Sequence, residues 1–155
     1  IQFSPLDPNL LMFCHEGPWH FVDRVWLIRA DGTGLMKVHP RTIDMEIAGH
    51  EFFSQDGKTV WYDLQTPRSK EFWVAGVHVE SGERIRYPIA RAEWSVHYTI
   101  SWDGKLFAGD GGSTNSVANH TPLPEWRRLS SPRRAGFGAS TLRGAGAAPA
   151  GRRLR

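Results

Sequence analysis

The chain has 155 residues, 40% of them hydrophobic, with seven Trp and one Cys; that is enough apolar mass for a core, and the lone Cys14 rules out an intramolecular disulfide. No apolar stretch approaches the roughly 20 residues that cross a bilayer as a helix, so no membrane partner is expected. The formal charge of +3 suggests a nucleic-acid partner until it is divided: eight Arg and no acid follow Trp126, the other eleven bases face all sixteen acids, and residues 1–125 carry a net −5.

The chain opens on Phe3-Ser4, a turn on Asp7-Pro8-Asn9 and the apolar run Leu10 to Cys14, which together predict a β-hairpin. Gly17-Pro18 then breaks the strand. This leaves His15 and Glu16 at a strand end beside a loop, where β scaffolds present functional side chains, although a turn with a hydrogen-bonded surface His would look the same. Arg24, closing the loop from Trp19, has two readings. It can pair with Asp23 or Glu16, or it can grip an anionic substrate bidentately. Val25 to Arg29, the turn Asp31-Gly32 and Leu35 to Val38 predict a second hairpin.

Residues 49 to 66 restate the first hairpin and are restated in turn from His97 to Asp110. His50 falls on His97, Ser54 on Ser101 and Asp56-Gly57-Lys58 on Asp103-Gly104-Lys105, all at an offset of 47 residues, and the opening copy precedes the middle one by 50. The second hairpin returns as Phe72 to Val77, Ser81-Gly82 and Arg84 to Tyr87, with Trp26 and Trp73 again 47 apart. Two hairpins per period make four short strands every 40 to 50 residues, the sequence pattern of a β-propeller blade. The fold class is therefore all-β, with four-stranded antiparallel blades. About two and a half blades are present in residues 1–125, and a propeller needs at least four to close, so the chain reads as a piece of a longer protein.

Equivalent positions in successive blades face one axis. His50 and His97, each at the start of the strand leading into its Asp-Gly turn, would bring imidazoles to a common channel, as a metal site requires; a structural His at a blade corner is the other reading. The aromatics, among them Phe52, Trp61 and Trp94, are expected between blades. Residues 126–155, rich in Arg, Gly and Ala, are too poor in apolar periodicity to offset their ordering entropy, which predicts disorder. They lack the interleaved aromatics that would stack on bases, so no nucleic-acid partner is expected; the abrupt change reads more simply as out-of-frame or unrelated sequence.

Cys14-His15-Glu16-Gly17-Pro18-Trp19, Asp31-Gly32-Thr33-Gly34, Gly49-His50-Glu51-Phe52 and Gly109-Asp110-Gly111-Gly112, in that order, resemble the oligogalacturonate lyases of pectin-degrading bacteria from residue 1 to about residue 125. The resemblance implies a cytoplasmic, seven-bladed propeller that uses a divalent metal, typically manganese, to cleave short galacturonate oligomers such as digalacturonate by β-elimination. It makes His15 similar to the family's Brønsted base and His50 to one of its metal ligands, with His97 a neighbour placed by the repeat. The family's Gln-x-x-His-x-His ligand motif is not in this sequence and its catalytic Arg lies upstream of residue 1, so the chain alone is expected to be inactive. A non-catalytic propeller that binds a protein or glycan rests on the repeats alone.

Overall fold

The computed structural model describes residues 1–110, so the Arg-rich segment from Trp126 and the last part of the expected propeller region lie outside the described residues. Strands β1 (Gln2–Phe3), β2 (Leu10–Cys14), β3 (Val25–Arg29) and β4 (Met36–Lys37) pair in sequence order as one antiparallel sheet. Strands β5 (Ile47–Phe53), β6 (Thr59–Gln65), β7 (Phe72–His78) and β8 (Arg84–Ile89) form a second sheet, and β9 (Tyr98–Ile100) with β10 (Phe107–Gly109) opens a third. These are two complete blades and the first hairpin of the next, as the repeat predicts. A short 3₁₀ turn at Arg91–Glu93, which the sequence reading did not anticipate, leads into the third.

The turns explain why each repeat carries Ser and Asp. Ser54 Oγ donates to Asp56 Oδ1 at 2.6 Å and accepts from Thr59 N at 3.0 Å; Ser101 repeats both, on Asp103 Oδ1 at 2.7 Å and Leu106 N at 3.0 Å. In the opening hairpin Ser4 Oγ instead takes the amides of Leu6 and Asp7. Gly57 lies at φ +67°, and a Cβ there would meet Leu6 at 2.6 Å, so a glycine is needed both for the turn and for its seat against the first blade.

Strand alternation on β6 divides the core in two. Val60, Tyr62 and Leu64 join Met12, Val25, Leu27 and Val38 between the first two blades, while Trp61 packs with Val74, Ile100 and Phe107 between the second blade and the third. Each such side chain taken out of water contributes about 1.5–3 kcal/mol. Trp61 meets Phe107 edge-on at 4.8 Å, so the repeat-matched aromatics do pack between blades. The outer strand β8 alternates exposed Arg84, Arg86 and Pro88 with half-buried neighbours, a polar edge that discourages pairing with another chain.

Candidate functional site

The innermost strand of the second blade is interrupted where the site forms. Gly49 pairs with Asp63 and Phe52 with Trp61, so His50 and Glu51 together oppose the single residue Tyr62. This is a β-bulge, and His50 adopts φ 53° within it. Left-handed backbone at a non-glycine residue is uncommon, and bulges of this kind re-aim side chains. The sequence placed His50 at the start of its strand; the structure places it fourth in β5, at the bulge itself.

Around that bulge the chain gathers several groups. The His50 ring lies 4.7 Å from the His97 ring, edge to face, and 4.9 Å from Trp19. Trp19 in turn carries the Arg24 guanidinium over its face at 4.4 Å. A Cβ on Gly49 would stand 3.3 Å from Trp19 and 3.7 Å from Arg24 Nε, so the absence of a side chain at Gly49 lets both approach the strand. His97 is fixed by Asp110, whose Oδ2 lies 2.7 Å from His97 Nδ1 and whose Oδ1 accepts the amides of Val96 and His97. A carboxylate on Nδ1 sets the tautomer and leaves Nε2 as the donor nitrogen, the arrangement seen around metal-bound imidazoles.

Arg24 makes the expected pair with Glu16, but from a buried position rather than at the surface. Its side chain is only 5% exposed; Nη2 meets Glu16 Oε2 at 3.2 Å, Nη1 donates to the Gly17 carbonyl at 3.1 Å, and Nε is buried with no hydrogen-bond partner. The cation therefore acts on the cluster from beneath. His50 Nδ1 is likewise buried without a partner. Burial, the neighbouring His97 and the Arg24 charge together push the His50 imidazole down to about 4, so at neutral pH it is an uncharged nitrogen base. An unpartnered, neutral, buried imidazole nitrogen fits a metal ligand, since a bound cation would supply the missing interaction. Among the described residues no group of three or more His, Cys, Asp or Glu converges on one point, so a metal held by His50 and His97 would need donors from elsewhere.

His15 follows directly on β2, its amide bonded to the Arg24 carbonyl at 2.7 Å and its side chain exposed. Among the described residues no hydrogen bond or ring contact joins its imidazole to the cluster, which it borders through Glu16. Two residues near the site escaped the sequence reading. Glu51 shares the bulge with His50, and burial raises its carboxyl above the usual range. Burial and then Glu51 push the Cys14 thiol up to about 11, keeping it protonated. Only the double-residue bulge puts Glu51 beside Cys14 and Arg24, and no periodicity announces a bulge.

A profile of the oligogalacturonate lyase family matches residues 1–121. The chain belongs to the oligogalacturonate lyase family. Its relatives include an oligogalacturonide lyase of Pectobacterium atrosepticum, 32% identical over 114 residues, and an oligogalacturonate lyase of Dickeya dadantii, 31% identical over 110; each alignment covers 70% of this chain and 28% of the relative. The fold matches an oligogalacturonate lyase solved in complex with manganese, with a TM-score of 0.65 and 31% identity over 74% of this chain and 30% of that one. It also matches the Vibrio parahaemolyticus enzyme, with a TM-score of 0.63 and 28% identity over 76% of this chain and 30% of that one. The chain thus spans less than a third of the length of these family members, and its sheets are blades of their β-propeller.

Proposed function

We propose that this chain supplies one side of the active centre of an oligogalacturonate lyase, which cleaves short galacturonate oligomers by metal-assisted β-elimination in the cytoplasm. The observation that carries the reading is the buried, unpartnered Nδ1 of His50, aimed by a β-bulge and held against His97 in a family with a manganese-bound member. His50 and His97 would hold the divalent metal, manganese by likeness, with the remaining donors coming from other blades. When bound, the metal neutralises the uronate carboxylate and so acidifies the adjacent C5–H.

The chain's own residues then have distinct tasks. His15, exposed at its strand end, takes the C5 proton; the electron pair forms the C4=C5 double bond and the C4–O4 bond breaks, with the leaving oxygen taking up a proton. Arg24 adds positive charge beneath the substrate carboxylate, and its committed Nη atoms make it a fixed field source rather than a swinging clamp. Asp110 holds His97 in one tautomer. Digalacturonate is the substrate expected of the full enzyme, and the 155-residue chain alone is expected to be inactive.

The test is a full-length relative in which the histidine aligned with His15 is changed to Asn. Ultraviolet absorbance of the unsaturated product from digalacturonate should then appear about 10²- to 10⁴-fold more slowly, while bound manganese is unchanged. The equivalent of His50→Ala should lose metal and turnover together. Near-normal turnover with Asn in place of His15, or full metal occupancy without His50, would remove the residue concerned from the mechanism, and a non-catalytic propeller would retain no manganese at all.

A further inference from the structure

A cavity of about 300 Å³ opens between the first two blades, over the face of β6, β7 and the outer strand β8, with Tyr62 of β6 among its lining residues. Both flanking blades are complete, so the cavity is not the exposed end of a partial sheet. Leu64 and Ala75 give it an apolar floor, Arg84 and Arg86 one wall, and His39 with Glu46 the other.

The acidic wall is already spent. Glu46 Oε1 meets His39 Nε2 at 3.0 Å, and Oε2 accepts from Thr42 N at 2.6 Å, Thr42 Oγ1 at 3.1 Å and Ile43 N at 3.2 Å. The carboxylate makes His39 Nε2 the protonated nitrogen, and the Tyr62 hydroxyl donates to Nδ1 at 2.9 Å. The basic wall has no such commitment. Among the described residues neither Arg84 nor Arg86 makes an ion pair. Arg84 reaches only His39 Nδ1 at 3.4 Å and the Val38 carbonyl at 3.5 Å, both at the long limit of hydrogen bonding, while Arg86 stacks on Trp73 at 4.6 Å. Two positions apart on one strand face, their Cα atoms are about 7 Å apart, a spacing that one carboxylate can bridge.

We infer that this inter-blade cavity is a second binding site, for a small sugar acid: the carboxylate lies between Arg84 and Arg86, and the apolar face of the ring lies on Leu64 and Ala75. Its volume is at the small end of ligand pockets and suits a single ring. It shares no residue with the His50 cluster, so its failure and the failure of the lyase reading are separable.

Methyl-labelled 155-residue chain titrated with monomeric galacturonate, with galactose and with inorganic phosphate decides the matter. Galacturonate should shift the Leu64 and Ala75 methyl signals, while galactose and phosphate bind at least about tenfold more weakly, one lacking the charge and the other the ring. Arg84→Gln with Arg86→Gln should abolish the shifts, and His50→Ala should leave them. Both arginines are exposed, so the fold should survive; Arg84→Lys with Arg86→Lys, which keeps the charge and loses the planar fork, should weaken binding as a second check. Equal binding of galactose, phosphate binding as tight as that of the sugar acid, or undiminished binding by either double variant would overturn the assignment.

Discussion

The histidines His39 and His50 sit in the same blade neighbourhood and are both at least half-buried, yet their surroundings differ in kind. His39, 6% exposed, has Glu46 on one nitrogen and Tyr62 on the other. His50 has rings on two sides and a buried nitrogen bonded to nothing. A satisfied buried network stabilises and specifies a fold, whereas an unmet buried donor or acceptor carries a cost that a protein retains for a ligand. Burial does not separate the two histidines; unmet hydrogen-bonding capacity does. The blade repeats the contrast in carboxylates. Glu46, 3% exposed, would be pushed up by burial, but the donors from Thr42, Ile43 and His39 outweigh that and hold it below the usual range. Asp63, 1% exposed, has Trp94 Nε1 at 2.8 Å and a long contact to Gln65 at 3.5 Å, and burial wins, pushing it up to about 7.

The largest expected effect breaks the satisfied network. His39→Ala leaves Glu46 Oε1 and the Tyr62 hydroxyl each without its buried partner, at about 1–3 kcal/mol apiece, and should lower the unfolding free energy by about 2–5 kcal/mol in urea titrations. It should also remove a pH slope. Burial, partly offset by Glu46, holds the His39 imidazole below its ordinary 6.5, so the unfolded chain takes up a proton first as pH falls. Stability from neutral His39 is thus present above about 6.5 and declines below it. A variant with the native slope would show that His39 is not the titrating group.

Asp63→Asn tests the unsatisfied carboxylate and has the opposite sign. Its folded value near 7 lies above the ordinary 3.8, so its contribution is complete below about 3.8 and is lost as pH rises to 7. Asn keeps an acceptor for Trp94 and carries no charge. The variant should be more stable than the native chain by about 2–4 kcal/mol at pH 8 and nearly equal to it at pH 4. Equal stabilities at pH 8 would mean that Asp63 is not desolvated as described.

His50→Ala should cost under about 1.5 kcal/mol, because Nδ1 has no hydrogen bond to lose and only ring packing against Trp19 and His97 disappears. A loss as large as that of His39→Ala would end the comparison and make His50 a structural residue. The smallest effect belongs to Gly49→Ala, about 1 kcal/mol, as the added methyl moves Trp19 by a few tenths of an ångström. Tryptophan ring shifts at Trp19 should move while those of Trp73 do not.

What could be read from the sequence was whatever is written within a few residues. Asp-Gly turns carried by a preceding Ser, two-residue alternation and the 47-residue return of Trp26 in Trp73 determined the hairpins, their order and the two and a half blades, because turn chemistry and pleat are local. The motif around His15 and that around His50 determined the family. Tertiary structure alone decided the rest. The bulge that turns His50 and Glu51 toward one cluster depends on the register of β5 on β6, the burial of Arg24 depends on Trp19 and Gly49, and the His39 network joins residues 23 and 45 positions away. Burial and unmet hydrogen bonds are properties of what surrounds a side chain, and in blades stacked side by side those surroundings come from strands far away in the chain.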